Sequence, residues 1–427
     1  MITENDCCST SRTSTEILGA AAWASVLGAV SGLACVLVRL LMRGLQWLFT
    51  QHAGTLPAAA AALPSGRRLV TPVLGALLAM AITWVVKRRL RIAPFHEYVE
   101  AVRFSDGEIP FASTFWRTLS SAFSVATGAA IGREGSMIQF AAAATSWFGK
   151  RSGVRASSLG CQVGYGAAAA IAAAYSAPLA GMFFAFEVVF GEWSWWDAAP
   201  VALSSISGWL VSRALLGGGP IFAVHSHLPF DRQAAWGVLL ALALGCLAPL
   251  YHWFFRSLRF LSRWPFAMAG AGLAVGLLSL MTPLVWGNGD MALVQVLGGS
   301  GVLGASIVLL LTRTIATGIC VGAGTAGGVF TPTLFTGAAL GLIAGQMLGV
   351  SQPGLLAVIG LAAFLAAVTH APFMATMMAI ELTGQWHLLP LLLLYNLLAC
   401  EIARRLSSRS LYAIATPDPL NPEGAAA

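Results

Sequence analysis

Gly132-Arg133-Glu134-Gly135-Ser136 is a charged stretch set inside some of the most apolar sequence of this chain. No charged residue stands in positions 121–131 before it or 136–149 after it. An arginine and a glutamate at membrane depth are costly, and such residues mark ion or proton paths. Gly132 and Gly135 let the backbone turn and expose its N–H groups, and a helix that begins there favours a negative ligand. The stretch therefore predicts an anion site beside an ionisable carboxylate.

The composition is that of a polytopic membrane protein. Of the 427 residues, 57% are hydrophobic and 10% are charged, and the mean hydropathy is +0.78. Soluble proteins carry about 25% charged residues. Apolar blocks at 18–38, 69–86, 236–250 and 301–311 supply helical segments, several of them near the ~20 residues that cross a bilayer. We expect an all-α protein embedded in the lipid bilayer.

The basic residues indicate orientation and not nucleic-acid binding. The formal net charge is +7, and the positive residues cluster in short stretches at 87–91, 150–155, 256–263 and 404–409. By the positive-inside rule these loops face the cytoplasm. The polar N-terminal residues lack the basic region and cleavage site of a signal peptide. We expect a membrane protein with both termini cytoplasmic, and with cytoplasmic tails at 1–15 and 417–427.

Two segments of similar sequence indicate an internal duplication. SAPLAGMFFAFE at 176–187 resembles HAPFMATMMAIE at 370–381, and their prolines are 372 − 178 = 194 positions apart. GVFTP at 328–332 is the counterpart of the charged stretch, because their leading glycines are 328 − 132 = 196 positions apart, nearly the same separation as the prolines. We expect two membrane halves, at 16–220 and 221–416.

Duplicated halves of a membrane protein commonly pack as inverted repeats, with the substrate held by the ends of broken helices. Here both glycine-rich loops open into apolar helices, expected at 137–148 and 333–348. Two helix N-termini would then converge from opposite sides on one anion. Small residues in 141–144, 167–174 and 337–345 allow helices to cross closely.

These motifs resemble the CLC family of chloride channels and proton-coupled chloride antiporters. The similarity rests on GREG at 132–135, GVFTP at 328–332, the two Ala-Pro…Glu segments and Leu411-Tyr412, and it covers about residues 20–415. It implies two inverted halves of tilted, broken helices, assembled as a homodimer with one pore per subunit. The chain is most similar to the short bacterial branch that lacks cytoplasmic CBS domains.

The resemblance also assigns roles to individual residues. It implies that Glu134 is the gating glutamate, which occupies an anion site when charged and moves out when protonated or displaced. It implies that the Tyr412 hydroxyl closes the central anion site from inside. The backbone amides that would line the anion sites are those of Arg133, Gly135, Val329, Phe330 and Thr331.

Three positions depart from the family pattern. Ala93 or Pro94 stands where a loop serine would give a hydroxyl to the central site, so the site is expected to hold chloride more weakly or to select differently. Ser136 stands where proline is usual. Val188 occupies the position of a second, proton-relaying glutamate in many antiporters. This favours a passive channel, although family members without that glutamate can still exchange chloride for protons.

Several alternatives stay open at this stage. Glu187 and Glu381 either pair with backbone donors or, for Glu187, lie on a proton path. The transported ion is chloride or another small anion such as fluoride or nitrate. An intramembrane serine protease would need Ser300 opposite His370, but Ser300 lies in a glycine-rich loop beside a polar stretch, which disfavours an enzyme. The seven cysteines show no CxxC spacing, and the sequence predicts no metal site, cofactor or disulfide framework.

Overall fold

The computed structural model describes residues 14–90, 97–104, 106–153, 159–217, 219, 222, 235–299 and 301–414. In this part of the chain there are seventeen α-helices and no β-strand, which confirms the all-α prediction. The first nine helices are α1 (Ser14–Thr50), α2 (Leu56–Ala62), α3 (Ser65–Val85), α4 (Tyr98–Phe104), α5 (Phe111–Ala126), α6 (Glu134–Arg151), α7 (Leu159–Tyr175), α8 (Pro178–Phe184) and α9 (Trp195–Leu216). The other eight are α10 (Trp236–Ser257), α11 (Ala267–Met281), α12 (Asp290–Leu297), α13 (Leu303–Gly322), α14 (Phe330–Met347), α15 (Pro353–Thr369), α16 (Pro372–Thr383) and α17 (Leu389–Leu406).

Six helical stretches of the described chain are long and apolar enough to cross a membrane. The longest, Leu18–Thr50, has 33 residues and a hydropathy of 2.0. The four apolar blocks expected from the sequence fall within four of these stretches or at their start. Other helices, such as α8 and α16, are too short to span a bilayer of about 30 Å. This mixture of long and broken helices is the predicted architecture.

The centre of the molecule is formed by helices that are apolar on every side. All residues of α15 from Gly354 to Thr369 are buried, as expected for a helix enclosed by other helices. α15 crosses α14 at backbone contact, because a methyl group at Gly337 would collide with the carbonyl oxygen of Gly360. Gly337, one of the small residues predicted to allow close helix crossings, therefore lets α14 and α15 approach to backbone contact.

The two Ala-Pro…Glu segments have the same backbone conformation. Ser176 and His370 adopt left-handed φ values of 55° and 59°. The next residues, Ala177 and Ala371, have φ/ψ of −130°/77° and −126°/77°, and in both cases the following proline begins a short helix. A proline is favoured at the first helical position because it needs no backbone acceptor there. The duplication seen in the sequence is thus a structural repeat, while the division of the chain at residue 220 stays a prediction, since that position lies outside the described residues.

The two repeats contact each other reciprocally. Glu187 lies in a π-helical turn, Ala185–Phe190, that extends α8, and its carboxylate accepts hydrogen bonds from the N–H groups of Phe373 (3.2 Å) and Met374 (2.7 Å) in α16. Glu381 of α16 accepts from Leu179 (3.0 Å) and Ala180 (2.8 Å) in α8. Each carboxylate thus satisfies the first-turn amides of the opposite helix, where an anion is favoured.

One expectation about the cysteines is wrong. Cys161 is disulfide-bonded, although the sequence indicated no disulfide. Cys35, Cys320 and Cys400 are free and buried, as small apolar residues of helices often are. In the described ranges no group of three or more His, Cys, Asp or Glu residues is placed to hold a metal ion.

Candidate functional site

The two glycine-rich loops meet at the centre of the molecule. Gly132 donates a backbone hydrogen bond to the Gly328 carbonyl, and Gly328 donates one back to the Gly132 carbonyl, both at 2.7 Å. The approach is so close that a Cβ added at Gly135 would lie 2.8 Å from the Gly328 Cα. In the sequence each glycine-rich loop stands directly before an apolar helix. In the structure these two helices are α6 and α14.

Both helices direct their first-turn amide groups to this junction. α6 begins at Glu134, three residues before the predicted start. One of its first internal hydrogen bonds joins the Met137 N–H to the Arg133 carbonyl at 3.2 Å. α14 begins at Phe330, again three residues early, and Thr333 donates to the Val329 carbonyl at 2.9 Å. The amides of each first turn precede these residues and have no acceptor inside their own helix. Together with the helix dipoles they favour an anion.

The Glu134 carboxylate is buried beside the junction, with 3% of the residue exposed. Its Oε1 accepts a hydrogen bond from Asn288 Nδ2 at 2.7 Å and lies 3.6 Å from Arg133 Nε. Its Oε2 is buried and has no hydrogen-bond partner among the described residues. A buried carboxylate with an unsatisfied oxygen is costly to keep, and such groups belong to functional sites more often than to structural ones.

Arg133 has a structural contact besides its position next to Glu134. Its guanidinium lies 3.5 Å from the Asp290 carboxylate, and both side chains are about a quarter exposed, at 29% and 27%. The side chain therefore pairs with an acidic group at the start of α12. The backbone amide of Arg133 stays the predicted anion ligand.

A cavity of about 530 Å³ leads to the junction. Four of the predicted site residues line it, namely Gly135, Val329, Phe330 and Tyr412. The charged residues that line it are Arg117, Arg256 and Arg259, with Glu97 and Glu100. Arg133, Glu134 and Thr331 are not among the lining residues of this cavity, although Gly135, next to Glu134, is.

Tyr412 lines the cavity, and closure of the central anion site by its hydroxyl stays a prediction. It belongs to the short 3₁₀ turn Leu411–Ile414, and its ring packs edge-on against Phe184 of α8 with 5.7 Å between ring centroids. Phe184 in turn lies 6.3 Å from the Tyr98 ring. This aromatic packing fixes the position of the Tyr412 hydroxyl relative to the cavity.

Thr331 is placed differently from the other predicted ligands. Its hydroxyl is hydrogen-bonded to the Tyr175 hydroxyl at 2.9 Å, and the Tyr175 ring packs on Phe330 with 5.2 Å between centroids. The side chain of Thr331 therefore ties α7 to α14, which leaves its backbone amide for the predicted role. Tyr175 was not singled out from the sequence.

Sequence reasoning also missed the role of Asn288. No motif of the sequence analysis includes this residue, yet its amide is the hydrogen-bond donor of Glu134. The rule that selected the charged stretch, polar residues between glycines in an apolar region, applies equally to Gly287-Asn288-Gly289-Asp290. That signal was available in the sequence, although the contact across 154 positions was not.

The remaining predicted positions divide into two groups. Val188 is buried, and its carbonyl accepts a hydrogen bond from Arg103 at 2.6 Å. Glu187 contacts α16 as described above, and a place on a proton path stays a prediction. The others lie outside the described residues: Ala93, Pro94 and Ser300.

These features define a polytopic membrane protein whose two halves meet at paired helix N-termini beside a buried carboxylate. The profile of the voltage gated chloride channel family matches residues 75–404. The voltage-gated ClC-type chloride channel ClcB of Citrobacter koseri is 37% identical over 405 residues, which cover 91% of this chain and 97% of that protein. The ClcB protein of Shigella flexneri is 39% identical over 408 residues, or 91% and 96% of the two chains. The chain therefore belongs to the CLC family and is an anion transporter of this type.

Solved structures confirm the fold. A slow cyanobacterial Cl⁻/H⁺ antiporter superimposes with a TM-score of 0.80 at 21% identity, over 95% of this chain and 97% of the other. A CLC-type fluoride/proton antiporter superimposes with a TM-score of 0.75 at 18% identity, over 94% and 98%. The predicted CLC-like architecture of tilted, broken helices is thus confirmed.

Proposed function

We propose that the protein conducts chloride passively across the bacterial inner membrane, through a path that leads from the cavity past the α6–α14 junction to Glu134. The observation that carries this proposal is the junction itself, where first-turn amides of two helices lie beside a buried carboxylate. Amide donors and helix dipoles replace part of the hydration shell of a halide without a full positive charge. An anion can therefore bind there and still leave.

The anion is held by backbone groups in this proposal. The ligands are the amides of Arg133, Gly135, Val329, Phe330 and Thr331, with the Tyr412 hydroxyl on the cavity side. Ala93 or Pro94 contributes no hydroxyl, so the central part of the path holds the anion through fewer donors. Three arginines, Arg117, Arg256 and Arg259, outnumber the carboxylates Glu97 and Glu100 in the cavity lining, and the net positive charge favours the entry of anions.

Glu134 acts as the gate. Its carboxylate is a tethered anion that competes with chloride for the same donors. When the group is charged it blocks the path, and when it is protonated or displaced it moves out. Its burial and its unsatisfied Oε2 support this role. Few contacts hold the carboxylate in place, so a proton or a competing anion can release it.

Two observations favour a channel over an exchanger. Val188 has no titratable group, and Glu187 is engaged with the first-turn amides of α16 and does not line the cavity. The alternative is a proton-coupled chloride antiporter in which Glu187 passes protons to the cytoplasm. A further alternative is a carrier that prefers another small anion, such as fluoride or nitrate, through the altered central site.

The proposal includes the orientation and assembly of the chain. The basic stretches at 87–91, 150–155, 256–263 and 404–409 support cytoplasmic loops, and both termini then lie in the cytoplasm. The resemblance supports a homodimer with a pore in each subunit, built from halves 16–220 and 221–416.

The experiment is chloride efflux from liposomes that contain the purified protein, with external pH recorded at the same time. Chloride release without proton movement supports the passive channel. Protons driven uphill by a chloride gradient would contradict the passive channel and support the proton-coupled antiporter. No release above that of empty liposomes would contradict anion transport, and replacement of chloride by fluoride or nitrate ranks the ions.

A further inference from the structure

The loop between α11 and α12 places one side chain on the Glu134 carboxylate. Asn288 Nδ2 donates to Glu134 Oε1 at 2.7 Å, and the two residues are 5% and 3% exposed. They lie on opposite sides of the repeat junction, one in each half of the chain. A hydrogen bond to an ionised acceptor is stronger than one between neutral groups, and burial strengthens it further.

This loop is held in place by a buried cation. Arg313 of α13 is 1% exposed, and its guanidinium donates to the carbonyl oxygens of Leu284 and Gly287, the second at 3.0 Å. Gly289 has a left-handed φ of 99°, and a Cβ there would lie 2.7 Å from the Arg313 guanidinium. The loop therefore has little freedom, and the amide of Asn288 is preorganised toward the carboxylate.

We propose that Asn288 is a positioning residue that holds the charged carboxylate of Glu134 in the blocking position and thereby sets the pH at which the path opens. The inference rests on the proposed function of Glu134 as the gate. The Asn288 N–H stabilises the carboxylate more than the carboxylic acid, because it donates to a negative oxygen. Loss of this donor weakens the hold on the charged carboxylate in the blocking position, so acid activation of flux is expected to begin at higher pH.

Other charged and titratable groups face the same carboxylate. Arg133 lies 3.6 Å away and is itself held by Asp290. Arg39 of α1 and Tyr175 of α7 also interact with Glu134 electrostatically. All four groups remain when Asn288 is replaced by alanine, so the change in the pH profile reports the loss of the amide donor.

The test compares Asn288→Ala with the wild type by chloride efflux from liposomes across a range of external pH. The midpoint of acid activation is expected to rise by about one to two pH units, which corresponds to the loss of one hydrogen bond to a charged group. In a Glu134→Gln background the same replacement is expected to leave the pH profile unchanged. A merely structural role of Asn288 would lower flux at every pH and would not move the midpoint.

Two further variants keep the test decisive. Asn288→Asp retains the shape of the side chain and places a second carboxylate beside Glu134, so the midpoint is expected to move in the same direction and further. Asn396→Ala is the matched control, because Asn396 is also buried and donates its amide to Thr376 Oγ1 at 2.8 Å, away from the gate. Its midpoint is expected to equal that of the wild type.

The outcomes separate this inference from the proposed function. If both Asn288 variants conduct at acid pH with the wild-type midpoint while Glu134→Gln abolishes the pH dependence, the inference is overturned and the gate stands. If Glu134→Gln keeps the wild-type pH dependence, the gate and the inference both fail. An upward shift that is lost in the Glu134→Gln background supports both.

Discussion

Gly132 and Gly328 stand 328 − 132 = 196 positions apart and exchange two backbone hydrogen bonds, each of 2.7 Å. This isolated antiparallel bridge is the point at which the two repeats touch at the candidate anion site. It fixes the N-termini of α6 and α14 relative to one another more firmly than side-chain packing would, since backbone groups carry no rotamer freedom. The geometry of the site is therefore sensitive to any added atom at this bridge.

Gly135→Ala is expected to abolish chloride flux. The added methyl would lie 2.8 Å from the Gly328 Cα, so the loops must separate, at a cost of about 1–3 kcal/mol in overpacking. The measurement is chloride efflux from liposomes with equal amounts of folded protein. Gly270→Ala is the control, since a Cβ there meets nothing within 4 Å and the replacement in α11 is expected to keep wild-type flux. Wild-type flux in Gly135→Ala would show that the close contact is not needed.

Glu134→Gln is expected to remove the pH dependence of chloride flux. In the proposed gate, wild-type flux depends on pH because this carboxylate blocks the path only when it is charged. Glutamine cannot ionise, so flux should stay near its acid level throughout. The check is efflux recorded over the same pH series, with Glu401→Gln as a control because that carboxylate is 55% exposed and pairs with Arg405. A retained pH dependence would remove Glu134 from the gate.

Tyr412→Phe is expected to weaken anion binding by about tenfold, which is the effect of losing one hydrogen bond to a charged ligand. The ring contact with Phe184 at 5.7 Å remains, so the wall of the cavity is preserved. Calorimetric titration of the purified protein with chloride measures the change. Tyr251→Phe also removes a buried hydroxyl, one that contacts Thr333 at 3.3 Å, and should leave chloride binding unaltered. Equal affinity in Tyr412→Phe and the wild type would mean that the hydroxyl is no ligand.

Glu187→Gln and Glu381→Gln are expected to destabilise the protein to a similar degree. Each variant loses two charge-assisted hydrogen bonds between the carboxylate and first-turn amides. The free energy of unfolding is therefore expected to fall by about 1–3 kcal/mol. Thermal unfolding in detergent measures the effect. Proton movement recorded during chloride efflux should be the same in both variants and in the wild type. If only Glu187→Gln changed proton movement, Glu187 would belong to a proton path.

The sequence predicted the fold and the centre of the site because their signals are local. GREG, GVFTP and the two Ala-Pro…Glu segments are short, and proline and glycine have the same backbone effect wherever they occur. The contacts of Glu134 with Asn288 and of Thr331 with Tyr175 could not be predicted in this way. They join residues 154 and 156 positions apart, and they exist only because the two halves pack against each other. The predicted helix starts at 137 and 333 are three residues late, because the glycine-rich motifs already contain the first helical residues, Glu134 of α6 and Phe330 of α14.

The reversal potential of the purified protein in a planar bilayer distinguishes passive anion conduction from proton-coupled exchange. With equal pH on both sides, passive conduction gives a reversal potential that follows the chloride gradient at about 59 mV per tenfold concentration ratio, as one charge per ion requires. A pH gradient added at constant chloride should leave this potential unchanged. A reversal potential that moves with the pH gradient would rule out passive conduction and establish proton-coupled exchange.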